Sequence, residues 1–443
     1  MRDRRAENIA RLKSEAFDVL IVGGGINGAG IARDLMLREA GLKVALVEKG
    51  HFASGTSGKN SQLIHGGLRY LKYFDFGLVR EALHERATLL KIAPELVHPL
   101  QFLIPCFGKF DRWFYGAGLM LYDALAGSRN IAPHRSLTPG EARALEPGLA
   151  SDGLAAGLLF YDAAVHSARL TLENIVDADE RGACVANYVA YRNGMARDML
   201  GGEEFPVQAK KIVDAAGAWS KGSPLRLVRG SHLIFPRIQR GDEAIAHFDE
   251  QGRIVFLIPW GEDRNLTLVG TTDVDHHGSP DDVRISEEET QYLWGVVRRL
   301  YPDFREEPIT SYSSLRPLLA ATGRSATSTS REHRIWTAPD GTLHVAGGKY
   351  TTYRAMSEEA VDLVLEDLRP GALLLCRTAE TPLRIPVPPK DARERTRVAY
   401  EREFARRVED VIYVSTYWGH ERRLERGWME PIEAELGECG RER

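Results

Sequence analysis

FDVLIVGGGINGAGIARDLMLREAGLKVALVE, Phe17 to Glu48, holds the parts of a dinucleotide-binding unit in their required order. FDVLIV (Phe17–Val22) is an apolar run rich in branched residues, as a buried parallel strand requires. GGGING follows at once and supplies G-x-G-x-x-G. Gly23 permits the tight turn, Gly25 lets backbone approach a pyrophosphate, and Gly28 lets the next helix pack on the strand. That helix, about Asn27–Ala40, would aim its N-terminal N–H groups and positive dipole end at the phosphates. KVALVE (Lys43–Glu48) is a second strand, and Glu48 stands 20 positions after Gly28, where a carboxylate takes a ribose hydroxyl. The acid favours a ribose without a 2′-phosphate, so FAD or NAD rather than NADP.

Outside this unit the chain is ordinary in bulk. Its 443 residues exceed one core, and two or three domains are expected. Apolar residues at 43% and charged residues at 27% suit a globular protein. A net charge of −4 gives no general attraction to nucleic acid. Cys106, Cys184, Cys376 and Cys439 are far apart and form no C-x-x-C pair, so neither a disulfide framework nor a metal site is expected. The charged start MRDRRAENIARLKSEAFDV is no secretory signal; it reads as a short solvated helix, with a cytoplasmic location as the default. WFYGAGLMLYDALA (Trp113–Ala126) is too short to span a bilayer, and core packing is its expected role ahead of contact with a membrane surface.

The remaining pattern predicts a helix over Gly77–Ala93 and a capped helix starting at TPGE (Thr138–Glu141). Strands RLVRGSHLIF (Arg226–Phe235), RIVFLIPW (Arg253–Trp260) and LTLVGTTD (Leu266–Asp273) suggest an antiparallel layer, followed by a helix over Glu287–Leu300. Glu287, Glu288 and Glu289 read most simply as a solvated helix start. HVAGGKYTTYRAM (His344–Met356) is strand, Gly-Gly turn and helix, and a charged amphipathic helix is expected over Arg393–Tyr417. The expected fold class is α/β: a discontinuous Rossmann-type domain binding the dinucleotide, a mixed or antiparallel substrate domain, and a short helical C-terminal tail. Residues 15–95, 150–220 and 335–370 are assigned to the first, 96–149 and 221–334 to the second, and 371–443 to the tail.

Several motifs arrive in a fixed order: IVGGGINGAGIARD, FASGTS, LIHGGLRYL, AAGAW, RGSHLIFPR, IVFLIPW, GTTDVD, SLRPL, SREH and GGKYTTYR. In this the chain resembles the FAD-dependent glycerol-3-phosphate dehydrogenases, within the D-amino-acid-oxidase-like flavoproteins. The resemblance spans roughly Phe17 to Val364, and LIHGGLRYL with GGKYTTYR is far more specific than the glycine fingerprint. It implies FAD contacts at Gly23, Gly25, Gly28, Glu48, Thr56, Ser57 and Gly348, with Gly217 and Thr351 at the two further glycine turns. It implies a substrate pocket of Arg69, Tyr70, His232, Arg316, Arg331 and Lys349. Arginines suit a phosphomonoester because the guanidinium grips its oxygens bidentately. A secondary alcohol needs a base while hydride leaves carbon for the flavin, and a histidine can be neutral at pH 7. His232 reads equally as that base or as a satisfied core histidine; His65 beside Gly66–Gly67 leans toward function, and Arg354 toward bracing the last helix.

The implied activity is oxidation of sn-glycerol 3-phosphate to dihydroxyacetone phosphate, with electrons passed to a quinone and peripheral contact with a membrane. An oxygen-using oxidase, an amine oxidase of the same fold and a turnover-deficient flavin scaffold or sensor are the alternatives, and a homodimer stays open. The segment between AAGAWS and RGSH is short, as are the hairpin at Gly194–Gly202 and the C-terminal region, where only Val398–Gly419 resembles part of the family's helical cap. No oxidase-type insertion is evident in the substrate domain, which favours quinone.

Overall fold

The computed structural model describes residues 3–221, 225–249, 252–319, 333–421 and 427–441. The opening unit forms strand Ala16–Val22, helix Ile26–Leu37 and strand Val44–Glu48. Both strands lie inside a six-stranded sheet ordered His333–Thr337, Leu343–Gly347, Gln208–Asp214, Ala16–Val22, Val44–Glu48, Cys184–Asn187. All run parallel except the edge strand His333–Thr337. The two-residue period of the strands explains why their sequences are apolar throughout. Val19, Ile21 and Leu46 pack beneath helices Ile26–Leu37, Ser167–Glu180 and Tyr353–Leu368, whereas Leu20, Ala45 and Val47 join a core on the other face.

That second core corrects the reading of the N-terminus. Helix Arg4–Ser14 is docked rather than solvated: Ile9 and Leu12 are buried, and Arg5 pairs with Asp198 at 2.7 Å and donates to the Asn187 carbonyl at 3.0 Å. The same face carries a three-stranded sheet of Val189–Arg192, Met195–Asp198 and Glu204–Pro206.

The second large sheet has ten strands and is mainly antiparallel. Leu225–Pro236 pairs with both Leu266–Gly270 and Thr310–Leu319, and Val97–Cys106 pairs with Ala156–Val165. By pairing, Leu63–Ile64 and Ala156–Val165 lie in this sheet although their segments read as parts of the cofactor domain, while His333–Thr337 lies in the first sheet. Helix Glu287–Leu300 covers one face through Leu293, Trp294 and Val297. Helices Phe76–Ile92 and Lys109–Ala126 cover the other through Val79, Leu83, Leu119 and Tyr122.

Two further expectations are corrected. Helix Lys109–Ala126 is only half a core helix: Leu119, Tyr122 and Ala126 are buried, but Phe110, Trp113, Phe114, Met120 and Leu121 are exposed. The C-terminal region is broken rather than continuous, with helix Ala392–Arg402 ending before Phe404, whose φ is 63°. That turn seats the Phe404 ring edge-on to Phe52 and drops Glu403 among Arg169, Arg395 and the Ser415 hydroxyl. Burial alone would raise the Glu403 carboxyl, but the two guanidiniums hold it well below the usual carboxylate range.

Candidate active site

One continuous cavity of about 2130 Å³ runs from the glycine turn at Gly23–Ile26 to His232 and Arg316 of the second sheet. A drug-sized ligand needs roughly 300–1,000 Å³, so a dinucleotide and a small substrate can share the space. Every described candidate residue lines it except Gly28. A Cβ at Gly28 would meet the Gly23 carbonyl oxygen at 2.0 Å, so this glycine serves helix–turn packing.

The nucleotide end is built from the first sheet. Gly23 sits at φ +116° behind the turn, and a Cβ there would strike the Ala215 carbonyl. At Gly25 a Cβ would meet only the Ser57 hydroxyl, at 3.1 Å, so its other side opens to the cavity. Ser57 accepts the Ile26 N–H at 2.8 Å and ties the loop Phe52–Asn60 to the start of the helix. Glu48 stands at the strand end with its oxygens on the Gly24 and Gly50 N–H groups, each at 2.8 Å. Burial pushes its carboxyl up while those two donors pull it down, leaving a fixed acceptor at the cavity wall. An open helix N-terminus, a bare backbone turn and this fixed acid fit pyrophosphate and ribose.

The middle of the cavity is shaped by glycine turns. Gly347 and Gly348 have φ of +77° and +81°, and a Cβ at Gly348 would collide with the Met356 sulfur at 2.3 Å. The Thr351 hydroxyl accepts the His65 N–H at 3.1 Å and can donate to its carbonyl at 3.2 Å, tying this turn to the Ile64–Gly67 segment. Asp162 supports the same segment: it accepts the Gly66 N–H at 3.2 Å and is held by Arg86 and Tyr122. Thr56 donates to the Leu315 carbonyl at 2.6 Å and so joins the cofactor loop to the second sheet. Gly217, at φ +56°, has open space around it on the cavity wall.

The far end gathers cations from distant parts of the chain. Arg69 and Arg316 both bond Asp273, at 3.3 and 2.8 Å. Arg316 also donates to the Thr271 hydroxyl at 2.8 Å and the Thr272 carbonyl at 3.0 Å. The Lys349 ammonium lies 4.2 Å from the centre of the Tyr70 ring, and Arg69 packs on the same ring. His232 is buried, with Nε2 3.0 Å from the Ser61 hydroxyl and Nδ1 without a hydrogen-bond partner among the described residues. Burial, reinforced by nearby Arg316, pushes its pKa down to about 3, so the imidazole is neutral at physiological pH. Arg331 lies outside the described residues. Arg354 braces helix Tyr353–Leu368 through Glu85 and Glu358, as expected.

Sequence reading missed the residues that hold these groups. Asp273 and Ser61 sit inside quoted motifs, but nothing in their spacing marked them as partners of Arg316 and His232. Glu289 was read as solvated; it is buried, caps its helix with Ser286, and accepts hydrogen bonds from Ser231 and Thr272. Its usable signal was S-x-x-E at Ser286–Glu289, the capping-box pattern that turns the third residue inward.

Comparison with known proteins agrees with this architecture. A glycerol-3-phosphate dehydrogenase of Synechocystis is 38% identical over 85% of this chain and 74% of its own length. Glycerol-3-phosphate dehydrogenase 2 of Mycobacterium tuberculosis is 36% identical over 82% of this chain, which spans 65% of that relative. The structure of a Bacillus halodurans glycerol-3-phosphate dehydrogenase complexed with FAD superposes with a TM-score of 0.67, at 29% identity, over 85% of this chain and 69% of that one. An L-α-glycerophosphate oxidase from Mycoplasma pneumoniae shares the fold at 22% identity, with a TM-score of 0.65 over 84% of this chain and all of its own. The family model for FAD-dependent oxidoreductases matches residues 18–363, and the chain belongs to that family.

Proposed function

We propose that the protein oxidises sn-glycerol 3-phosphate to dihydroxyacetone phosphate and passes the two electrons to a membrane quinone. The observation that carries the substrate is the convergence of Arg69 and Arg316 on Asp273 at the end of the cavity away from the glycine turn. Two guanidiniums and the Lys349 ammonium suit a phosphate dianion better than the single carboxylate of an amino acid. When bound, FAD supplies the two-electron acceptor for the hydride that leaves C2. Arg69, Arg316 and Arg331 are assigned to the phosphate, and Lys349 to the side of the pocket nearest the Gly347–Gly348 turn. His232 is assigned the hydroxyl proton: burial chiefly lowers its proton affinity, and a dianion beside Arg316 offsets the smaller contribution of that arginine's charge. His65, pinned by Thr351, lines the same space and orients the alcohol.

The quinone rests on a surface. Residues 110, 113, 114, 117, 120, 121 and 124 form an exposed apolar stripe at helical spacing along Lys109–Ala126. Phe110 is 76% exposed and Trp113 73%, and Phe74, on the turn that follows Arg69 and Tyr70, is 78% exposed. Among the described side chains, every exposed residue from 68 to 92 and from 109 to 126 is apolar, glycine or basic; the basic ones are Lys72, Arg80, Lys91 and Arg112. Aromatic residues ringed by cations suit the interface of an anionic bilayer. No described helix is long and apolar enough to cross a membrane, which makes this contact a peripheral one. A substrate panel tests the reading: glycerol 3-phosphate should reduce the enzyme far faster than glycerol, glycine or proline. Equal or better turnover of an amino acid would reject it.

A further inference from the structure

Asp273 does not line the cavity; it lies behind the two arginines that do. Its side chain is 3% exposed, with Oδ2 on Arg69 and Oδ1 on Arg316. The two guanidiniums belong to segments about 250 residues apart and, left alone, would repel each other. The two residues before Asp273 are equally committed. Thr271 and Thr272 both accept from Arg316, and the Thr272 hydroxyl also takes the Ser231 N–H at 3.0 Å and donates to Glu289 at 2.5 Å. Glu289 is in turn paired with Arg229 at 2.7 Å and seated in the first turn of helix Glu287–Leu300. The segment that carries Asp273 is therefore anchored through Thr272 and Glu289 by a buried chain of bonds, while its carboxylate spans the two arginines.

We propose that Asp273 is a positioning and specificity residue: it fixes the spacing of Arg69 and Arg316 and restrains how strongly that end of the cavity takes a bare anion. A pocket of unrestrained cations would hold inorganic phosphate as readily as a phosphate ester. With one carboxylate engaging both guanidiniums, binding depends on the geometry of the grip and less on charge alone. The inference rests on the phosphate reading of this site.

The test uses the FAD-loaded protein and the variants Asp273→Asn and Asp273→Glu. Asparagine keeps the shape and removes one negative charge. Affinity for inorganic phosphate, followed by perturbation of the flavin spectrum without turnover, should tighten about fivefold or more, the effect of one charge within roughly 10 Å after partial screening. For glycerol 3-phosphate, kcat should fall at least about tenfold while KM stays level or drops, because the grip is stronger but misaligned. Asp273→Glu retains the charge, so its phosphate affinity should stay within about twofold of the parent even if kcat suffers. Unchanged or weaker phosphate binding in Asp273→Asn overturns the proposal. So does a joint rise in KM and in the phosphate dissociation constant, the mark of a merely structural residue. Should Asp273→Asn fail to fold, a parent-like kcat and KM in Asp273→Glu overturns the positioning claim, and a fallen kcat with unchanged phosphate affinity supports it. If the substrate reading is the part in error, the parent will not turn over glycerol 3-phosphate, whatever phosphate does.

Discussion

Adding one methyl group at Gly230 should disarm Arg316 while leaving the arginine itself in the sequence. Gly230 lies in strand Leu225–Pro236, opposite Ser314, and the Arg316 guanidinium lies flat over it. A Cβ there would sit 2.3 Å from Nη2 and 2.5 Å from both Cζ and Nη1. Ordinary contact needs roughly 3.5 Å, so the guanidinium must retreat by about 1 Å. Its bonds to Thr271, Thr272 and Asp273, at 2.8, 3.0 and 2.8 Å, would stretch past hydrogen-bonding range. The backbone at Gly230 needs no left-handed conformation, and the obstructing atoms are the tip of a flexible side chain, so the strand itself should tolerate alanine. Losing one charged grip costs about 1.5–3 kcal/mol of transition-state binding, or roughly a 10- to 150-fold fall in kcat/KM for glycerol 3-phosphate. Steady-state kinetics on Gly230→Ala, with FAD content and melting temperature measured alongside, would show that fall in a yellow, stable protein. The poor turnover of unphosphorylated glycerol should barely change. Parent-like kinetics, or an equal loss with both substrates, would mean that Arg316 does not grip the phosphate.

Gly25→Val should place a branched side chain in the open path beside Ser57 and yield colourless protein; a fully yellow variant would show that the pyrophosphate lies elsewhere. Acid should destabilise the fold through its buried neutral histidines. His232 and His247 have pKa values pushed down by burial, to about 3 and about 4, against ~6.5 in the unfolded chain. Below pH ~6.5 the unfolded state takes protons that the folded state refuses, so their stabilisation is complete above that pH and is lost as pH falls toward 4. Each should cost about 2 kcal/mol by pH 5, and His247→Gln should flatten the decline in chemical denaturation; an unaltered slope would contradict the assignment. Replacing Trp113 and Phe114 by serine should abolish sedimentation with anionic vesicles while leaving soluble-acceptor turnover intact, and undiminished binding would remove the stripe from the account.

The parts of the molecule that were legible beforehand are those governed by local chemistry. The Phe17–Glu48 unit reads directly because its glycines answer steric demands on backbone within one turn. The capping box at Thr138–Glu141 sets a helix start for the same reason. What could not be read is pairing over long distances. Asp273 meets Arg69 from 204 residues away, and Glu403 meets Arg169 across 234; no periodicity encodes such contacts. Apolar pattern alone also misjudged helix Lys109–Ala126, because burial of the side that carries Leu119 and Tyr122 says nothing about the opposite stripe. The candidate site residues were named mainly through motif order, and all the described ones but Gly28 line one cavity; their supports came only with the fold.

Mixing the purified holoprotein with sn-glycerol 3-phosphate in the absence of oxygen tests most directly whether that ester is the reductant. Rapid bleaching of the flavin band near about 450 nm is expected, with one dihydroxyacetone phosphate formed for each flavin reduced. A flavin that stays oxidised under glycerol 3-phosphate, yet bleaches with an amino acid, would contradict it.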